Sequence, residues 1–179
     1  LSKRMRLFCS HGIISTPKDM LQRPKEEIWN YQQIDLGFNY RMTDIQAALG
    51  LSQMKRLDEF VAKRQAISND YEELFTSLPI TTPWQHPDSY SAFHLYIIRL
   101  KLDEISKSQR EVFHDLESAG IGVNLHYIPV YRHPYSSFKG KLDGAEKYYD
   151  SALTIPLFPS MSFKDVDFIS SIINKNLDD

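Results

Sequence analysis

The chain has 179 residues, 42% hydrophobic and 25% charged, with a formal net charge of −2 and a single cysteine, Cys9. That length supports one domain with a sizeable core and an attached segment, and the charge argues against a nucleic-acid surface. No apolar run is long enough to cross a bilayer, no secretory n-region and h-region open the chain, and a lone cysteine excludes an internal disulfide framework and fits a reducing, cytoplasmic compartment.

The first residues, LSKRMRLFCSHGI, have helical spacing at Leu1, Met5 and Phe8, with Gly12 as a stop. A chain that opens at Leu1 in mid-helix predicts a truncated protein. His11 reads as a cap at the helix end, in preference to a ligand. Ile14–Asn30 carries Pro17, Pro24 and many charges without periodicity, and predicts a surface loop. Trp29–Leu36 is expected to be extended.

Leu36–Arg41 is short, aromatic and turn-like. Gly37 permits a backbone conformation that other residues resist. Asn39 and Arg41 place polar groups in an apolar setting. Thr43 and Gln46 have capping-box spacing and predict a helix start. Polar side chains beside free helix N–H groups suit an anion, and a loop that merely caps a helix is the competing reading.

From Thr43 to Leu78 the pattern is helical. Its apolar stripe is Ile45, Ala48, Leu49, Met54, Leu57, Phe60, Val61, Ile67, Tyr71, Leu74, Phe75 and Leu78, and Pro79 ends it. One unbroken helix would span about 54 Å, so a bend is expected near Gly50–Ser52. No strict a/d repeat is kept, which ranks a coiled coil second.

Ile80–Ser89, with Pro83 and Pro87, reads as a linker. Ala92–Lys101 predicts a strand, with His94 a structural residue within it. Ser108 and Glu111 form another capping box, opening a helix with Val112, Phe113, Leu116 and Ala119 on its apolar face and Gly120 as its stop. Ile121–Tyr127 predicts a second strand, 128–142 a loop, and Ala145–Ala152 a short helix. Leu153–Phe158, cut by Pro156, should sit at a sheet edge or end. Ser162 and Asp165 cap a last helix that buries Phe163, Val166, Ile169, Ile172, Ile173 and Leu177. Asp178–Asp179 reads as a solvated tail. This order predicts a small α+β domain, an antiparallel sheet with helices on one face.

A second candidate site is Asn124–Tyr131, NLHYIPVY. His126 offers an imidazole, a side-chain type that can exchange a proton, Tyr127 and Tyr131 offer hydroxyls and flat faces, and Asn124 offers a donor and an acceptor. Such groups at a strand end suit a polar ligand, and packing of an aromatic-rich strand end is the alternative. The histidines and Cys9 show no metal spacing, and neither a Gly-rich phosphate loop nor a Gly-x-Ser-x-Gly elbow is present.

The run GFNYRMTDIQAALGLSQ resembles the signature of the DegT-type sugar aminotransferases. RLDEFVAKRQAISNDYEELF, SAFHLYIIRL, LESAGIGVNLHYIPVYRHPY and AEKYYDSALTIPLFPSM continue the resemblance over nearly the whole chain. These are pyridoxal 5'-phosphate enzymes of the aspartate-aminotransferase fold. The most similar branch aminates UDP-linked 4-keto-6-deoxy-N-acetylhexoses on the route to pseudaminic acid.

The resemblance implies an α/β and α+β chain, the C-terminal part of that type I fold. Residues 1–53 would end the large cofactor-binding domain, and 54–179 would form a linking helix and small domain. It implies transamination of a 4-keto-6-deoxy nucleotide sugar with glutamate as amino donor, by a homodimer with shared active sites. The Schiff-base lysine would precede Leu1, so no catalytic residue is assigned and the chain alone should be inactive. Asn39 would reach the cofactor phosphate of the partner subunit. Arg41 would pair with a phosphate or substrate carboxylate, or form a structural salt bridge. Asn124, Leu125, His126 and Tyr127 would help bind the nucleotide sugar. Tyr131 stands where many relatives have His and is assigned nothing. A non-catalytic dimerisation or nucleotide-sugar-binding module, and a transaminase for a dTDP-linked keto sugar, are the alternatives.

Overall fold

The computed structural model describes residues 1–21, 31–134, 136–138 and 140–177. The chain divides into two compact units, Leu1–Lys55 and Arg56–Asp179. The expectations for 22–30 and for Asp178–Asp179 lie outside the described residues.

In the first unit, helix α1 (Ser2–Cys9) ends where the chain turns back at Gly12, with φ +72°. Ile13–Ile14 then forms strand β1, not a loop, and pairs antiparallel with β2 (Gln32–Gln33). Helix α2 (Asp44–Met54) starts at the expected capping box. The Gln46 N–H donates to the Thr43 hydroxyl at 3.3 Å, and the Thr43 N–H donates to the Gln46 side chain at 2.9 Å. These bonds satisfy backbone donors that a helix start leaves open.

The break in the long helical pattern lies at Lys55–Arg56, beyond the expected Gly50–Ser52, and Gly50 is accommodated inside α2. Arg56 takes a non-helical ψ of 5°, and helix α3 (Leu57–Leu74) opens with Asp58 and Glu59 in its first turn. Acidic groups suit a helix N-terminus, which favours a fresh start there. The apolar stripe is not continuous in burial: Ile45 is 83% exposed and Leu49 and Met54 are exposed, whereas Ile67, Tyr71 and Phe75 are buried.

The second unit is an α+β domain around a three-stranded antiparallel sheet in the order β3 (Ile80–Thr81), β4 (Tyr96–Leu100), β5 (Ala152–Ile155). Helix α3 ends before Pro79, where the Thr76 hydroxyl donates to the Glu72 carbonyl at 2.9 Å. Side-chain bonds of this kind compete with helix continuation. The expected linker 80–89 therefore begins as strand β3, with Ile80 opposite Leu100. Strand β4 is shorter than expected, and His94 lies before it, exposed. Strand β5 is an edge strand, as Pro156 predicts.

One face of β4 carries Tyr96, Ile98 and Leu100 into the core, together with Leu153 and Ile155 of β5. Helices α3, α4 (Gln109–Ser118) and α6 (Phe163–Leu177) cover that face with Ile67, Val112, Leu116, Val166, Ile169 and Ile173. An aromatic stack runs through it: the Tyr71 ring is 5.3 Å from Phe75 and 5.1 Å from Tyr96. Burial pushes the phenols of Tyr71 and Tyr96 well above the ordinary tyrosine range. Tyr71 donates to the Pro156 carbonyl at 2.9 Å, tying α3 to the chain beyond β5. The expected buried face of α6 holds at Val166, Ile169, Ile173 and Leu177, whereas Ile172 is half-buried and Phe163, in the helix's first turn, is 59% exposed.

Residues 121–127 do not form the expected strand. Asn124 alone bridges Thr154, with N···O distances of 3.0 and 2.8 Å. The Asn124 side chain then accepts from its neighbour's N–H, Leu125, at 2.7 Å. That local turn bond pulls the chain away before pairing propagates.

Candidate functional site

Two clusters hold the residues that the sequence singles out, one in each unit.

In the first unit, segment 35–40 lies backbone to backbone on the turn after α1. The Phe38 N–H donates to the Phe8 carbonyl at 2.7 Å, the Tyr40 N–H to Cys9 at 3.0 Å, and the His11 N–H to Phe38 at 2.9 Å. Asn39 forms an antiparallel bridge with Ser10. His11 serves this turn through its backbone, with φ 59° and its carbonyl accepting from Gln33. The seat has no room for side chains at its contact. A Cβ on Gly12 would stand 1.9 Å from the Asp35 carbonyl oxygen, and one on Gly37 would stand 2.2 Å from the Gly12 nitrogen.

The result is an anchored backbone with free side chains. Asn39 and Arg41 are both exposed, and among the described residues neither the amide nor the guanidinium has a partner. An intrachain salt bridge for Arg41 is therefore not formed there. Leu36, Phe38, Tyr40, Met42 and Ile45 are exposed around them, with the Phe38 and Tyr40 rings stacked at 5.1 Å. Polar donors set in an apolar, uncovered surface suit an anionic group at an interface.

The second cluster sits on the sheet face opposite α3, α4 and α6. Side chains alternate along a strand, so Ile97, Arg99 and Thr154 point away from the core that holds Tyr96, Ile98, Leu153 and Ile155. His126 meets this face: its Nδ1 lies 2.7 Å from the Thr154 hydroxyl. Tyr148, from helix α5 (Asp143–Ser151), donates to the His126 carbonyl at 3.4 Å. Burial raises the Tyr148 phenol, and the nearby Arg99 guanidinium opposes that rise. The His126 and Tyr127 rings meet edge to face at 4.6 Å, and Tyr127 is 72% exposed. Asn124 is exposed, and Leu125 and His126 are half-buried.

The Tyr131 hydroxyl is engaged within the chain. It donates to Glu146 at 2.6 Å. Glu146 is only 6% exposed and also takes the Arg132 guanidinium, which lies 4.5 Å over the Tyr149 ring. This cluster pins the segment after Tyr127 onto α5.

Sequence reasoning missed Thr154, Tyr148 and Arg99. Arg99 had a signal, a cation inside the apolar run YIIRL, and Thr154 had one as the polar residue of ALTIP. A shallow groove beside them is lined by Thr82, Trp84, Leu95, Ile97, Arg99 and Tyr148. Among the described residues no group of His, Cys, Asp and Glu is arranged to hold a metal, and no helix is long and apolar enough to cross a membrane.

The sequence matches known proteins along nearly its whole length. It is 34% identical over 177 residues to the UDP-4-amino-4,6-dideoxy-N-acetyl-beta-L-altrosamine transaminase of Campylobacter jejuni, covering 97% of this chain and 44% of that one. It is 34% identical over 174 residues to the spore coat polysaccharide biosynthesis protein SpsC of Bacillus subtilis, covering 93% and 44%. Its fold matches PseC of Helicobacter pylori, an aminotransferase of pseudaminic acid biosynthesis, at a TM-score of 0.84 and 26% identity, covering 98% and 46%. The fold also matches the PLP form of the sugar aminotransferase Spr1654 of Streptococcus pneumoniae, at a TM-score of 0.81 and 24% identity. The chain thus spans about half the length of the curated relatives it matches. The sequence model of the DegT/DnrJ/EryC1/StrS aminotransferases matches residues 1–174, and the chain belongs to that family.

Proposed function

We propose that this chain is the C-terminal part of a pyridoxal-phosphate aminotransferase that acts on a UDP-linked 4-keto-6-deoxy-N-acetylhexose with glutamate as amino donor. In this reading residues 1–53 end the large domain and 54–179 carry the linking helix and small domain. The full-length protein is a cytoplasmic homodimer, and the cofactor lysine precedes Leu1, so these 179 residues alone do not transaminate. The likeness to the altrosamine transaminase of C. jejuni supports the substrate class.

The donor set fits the cofactor. Asn39 and Arg41 are exposed and without partners among the described residues, and an amide with a guanidinium suits a phosphate. The bound cofactor supplies the electron sink for amino transfer. Asn39 would donate its amide N–H to the cofactor phosphate of the neighbouring subunit, and Arg41 would add a fixed positive charge there. The exposed apolar residues around them support burial of this loop against a second copy.

Asn124, Leu125, His126 and Tyr127 hold the nucleotide sugar. His126 offers a ring nitrogen, Asn124 an exposed side chain, and Tyr127 an open aromatic face. The single observation that carries this assignment is the His126 ring held by Thr154 at 2.7 Å while its Nε2 has no partner among the described residues. Titration of UDP-N-acetylglucosamine into the full-length protein by calorimetry tests it. The wild type binds and His126→Ala weakens binding by about tenfold, roughly one hydrogen bond to a charged or polar oxygen. Equal affinities would remove His126 from the site.

A further inference from the structure

The 2.7 Å contact between Thr154 and His126 fixes more than position. Thr154 lies in β5 opposite Ile97, is only 7% exposed, and spends its N–H and carbonyl on the bridge to Asn124. Its hydroxyl carries one proton and can accept two. Among the described residues that hydroxyl has one partner, Nδ1 of His126.

A buried hydroxyl proton without an acceptor is costly, and the imidazole Nδ1 is the acceptor within reach. A neutral imidazole carries its proton on one nitrogen only. If Nδ1 accepts, Nε2 is the protonated nitrogen. The second anchor, Tyr148 to the His126 carbonyl at 3.4 Å, holds the backbone from which the ring projects. Ring and main chain are thus held from two different elements, β5 and α5.

We propose that Thr154 is a positioning residue: its hydroxyl donates to Nδ1 of His126, fixes the Nε2–H tautomer, and presents that N–H as a donor to an oxygen of the bound nucleotide sugar. The ligand half rests on the nucleotide-sugar reading above; the tautomer half does not. Such outer partners commonly set which ring nitrogen a histidine offers. A donor at Nε2 suits the phosphate, hydroxyl and carbonyl oxygens of a UDP-N-acetylhexose, all of which accept.

The test is ¹⁵N NMR of histidine-labelled full-length protein at a pH where the imidazole is neutral, joined to calorimetry with UDP-N-acetylglucosamine. The expected wild-type signature is an unprotonated Nδ1 and a protonated Nε2. Thr154→Val, which keeps the shape and removes the hydroxyl, mixes the tautomers and lowers affinity by about tenfold. Thr154→Ser restores both. Adding Thr154→Val to His126→Ala costs nothing further, because the two act through one ring. A protonated Nδ1 in the wild type overturns the proposal, and this readout stands even where Thr154→Val does not fold. So does a folded Thr154→Val with unchanged tautomer and affinity. The expected tautomer without any UDP-N-acetylglucosamine binding by the wild type overturns the ligand half and the nucleotide-sugar reading together, and leaves the tautomer assignment standing.

Discussion

Gly12 and Gly37 meet backbone to backbone, so closely that a Cβ on Gly37 would stand 2.2 Å from the Gly12 nitrogen and 2.9 Å from the Phe8 carbonyl oxygen. Real Cβ atoms do not approach backbone that closely, and neither neighbour is a side-chain tip that can swing aside. This contact seats the loop that carries Asn39.

Gly37→Ala should therefore unseat that loop. Overpacking against backbone costs about 1–3 kcal/mol. The expected outcome is a lower thermal midpoint of the full-length protein together with reduced cofactor retention, read from cofactor absorbance after dialysis. Unchanged midpoint and retention would show that the loop accommodates the methyl group.

Asn39→Ala separates binding from folding. The side chain is exposed and has no partner among the described residues, so stability should change by less than about 0.5 kcal/mol. Cofactor affinity should fall by about tenfold or more, the worth of one hydrogen bond to an anion. Apparent dissociation constants from a pyridoxal-phosphate titration of apo protein, beside thermal melts, check both halves.

The helix caps predict an acid limit. The Ser108 N–H and hydroxyl donate to Glu111 at 2.8 and 2.7 Å, and those of Ser162 donate to Asp165 at 2.7 and 2.8 Å. These bonds hold both carboxyls below the ordinary carboxylate range. A folded-state pKa that is depressed contributes stability that is present above the unfolded value and lost as pH falls through the folded one. Stability should thus fall on acidification through and below the ordinary carboxylate range. Glu111→Gln with Asp165→Asn should flatten that part of the curve of thermal midpoint against pH; an unchanged slope would assign acid sensitivity elsewhere.

These caps were legible in the sequence because they are local. Thr43–Gln46, Ser108–Glu111 and Ser162–Asp165 each span one helical turn, and the spacing alone carries the geometry. The apolar periodicity likewise gave the buried faces of α3, α4 and α6 at Ile67, Leu116 and Ile173. What escaped was non-local. Ile80 becomes a strand residue because Leu100 pairs with it, and nothing within 80–89 announces that partner. Thr154 reaches His126 across 28 positions, and Tyr148 reaches it across 22. Gly37 suggests a backbone conformation that other residues resist, whereas its φ is not in the left-handed region and its role is close contact with Gly12. Asn124 ended a strand that its neighbours favoured by spending its side chain on Leu125. His126 was legible as a polar group at an aromatic run, and its anchors were not.

The most direct test of the central claim is amino transfer itself. Full-length protein with pyridoxal phosphate, glutamate and a UDP-linked 4-keto-6-deoxy-N-acetylhexose should convert the keto sugar to its 4-amino product, followed by mass spectrometry, with 2-oxoglutarate formed in equal amount. Asn39→Ala and His126→Ala should each slow that conversion. A cofactor-loaded protein that binds the nucleotide sugar but forms neither product would contradict the aminotransferase assignment and leave a nucleotide-sugar-binding module.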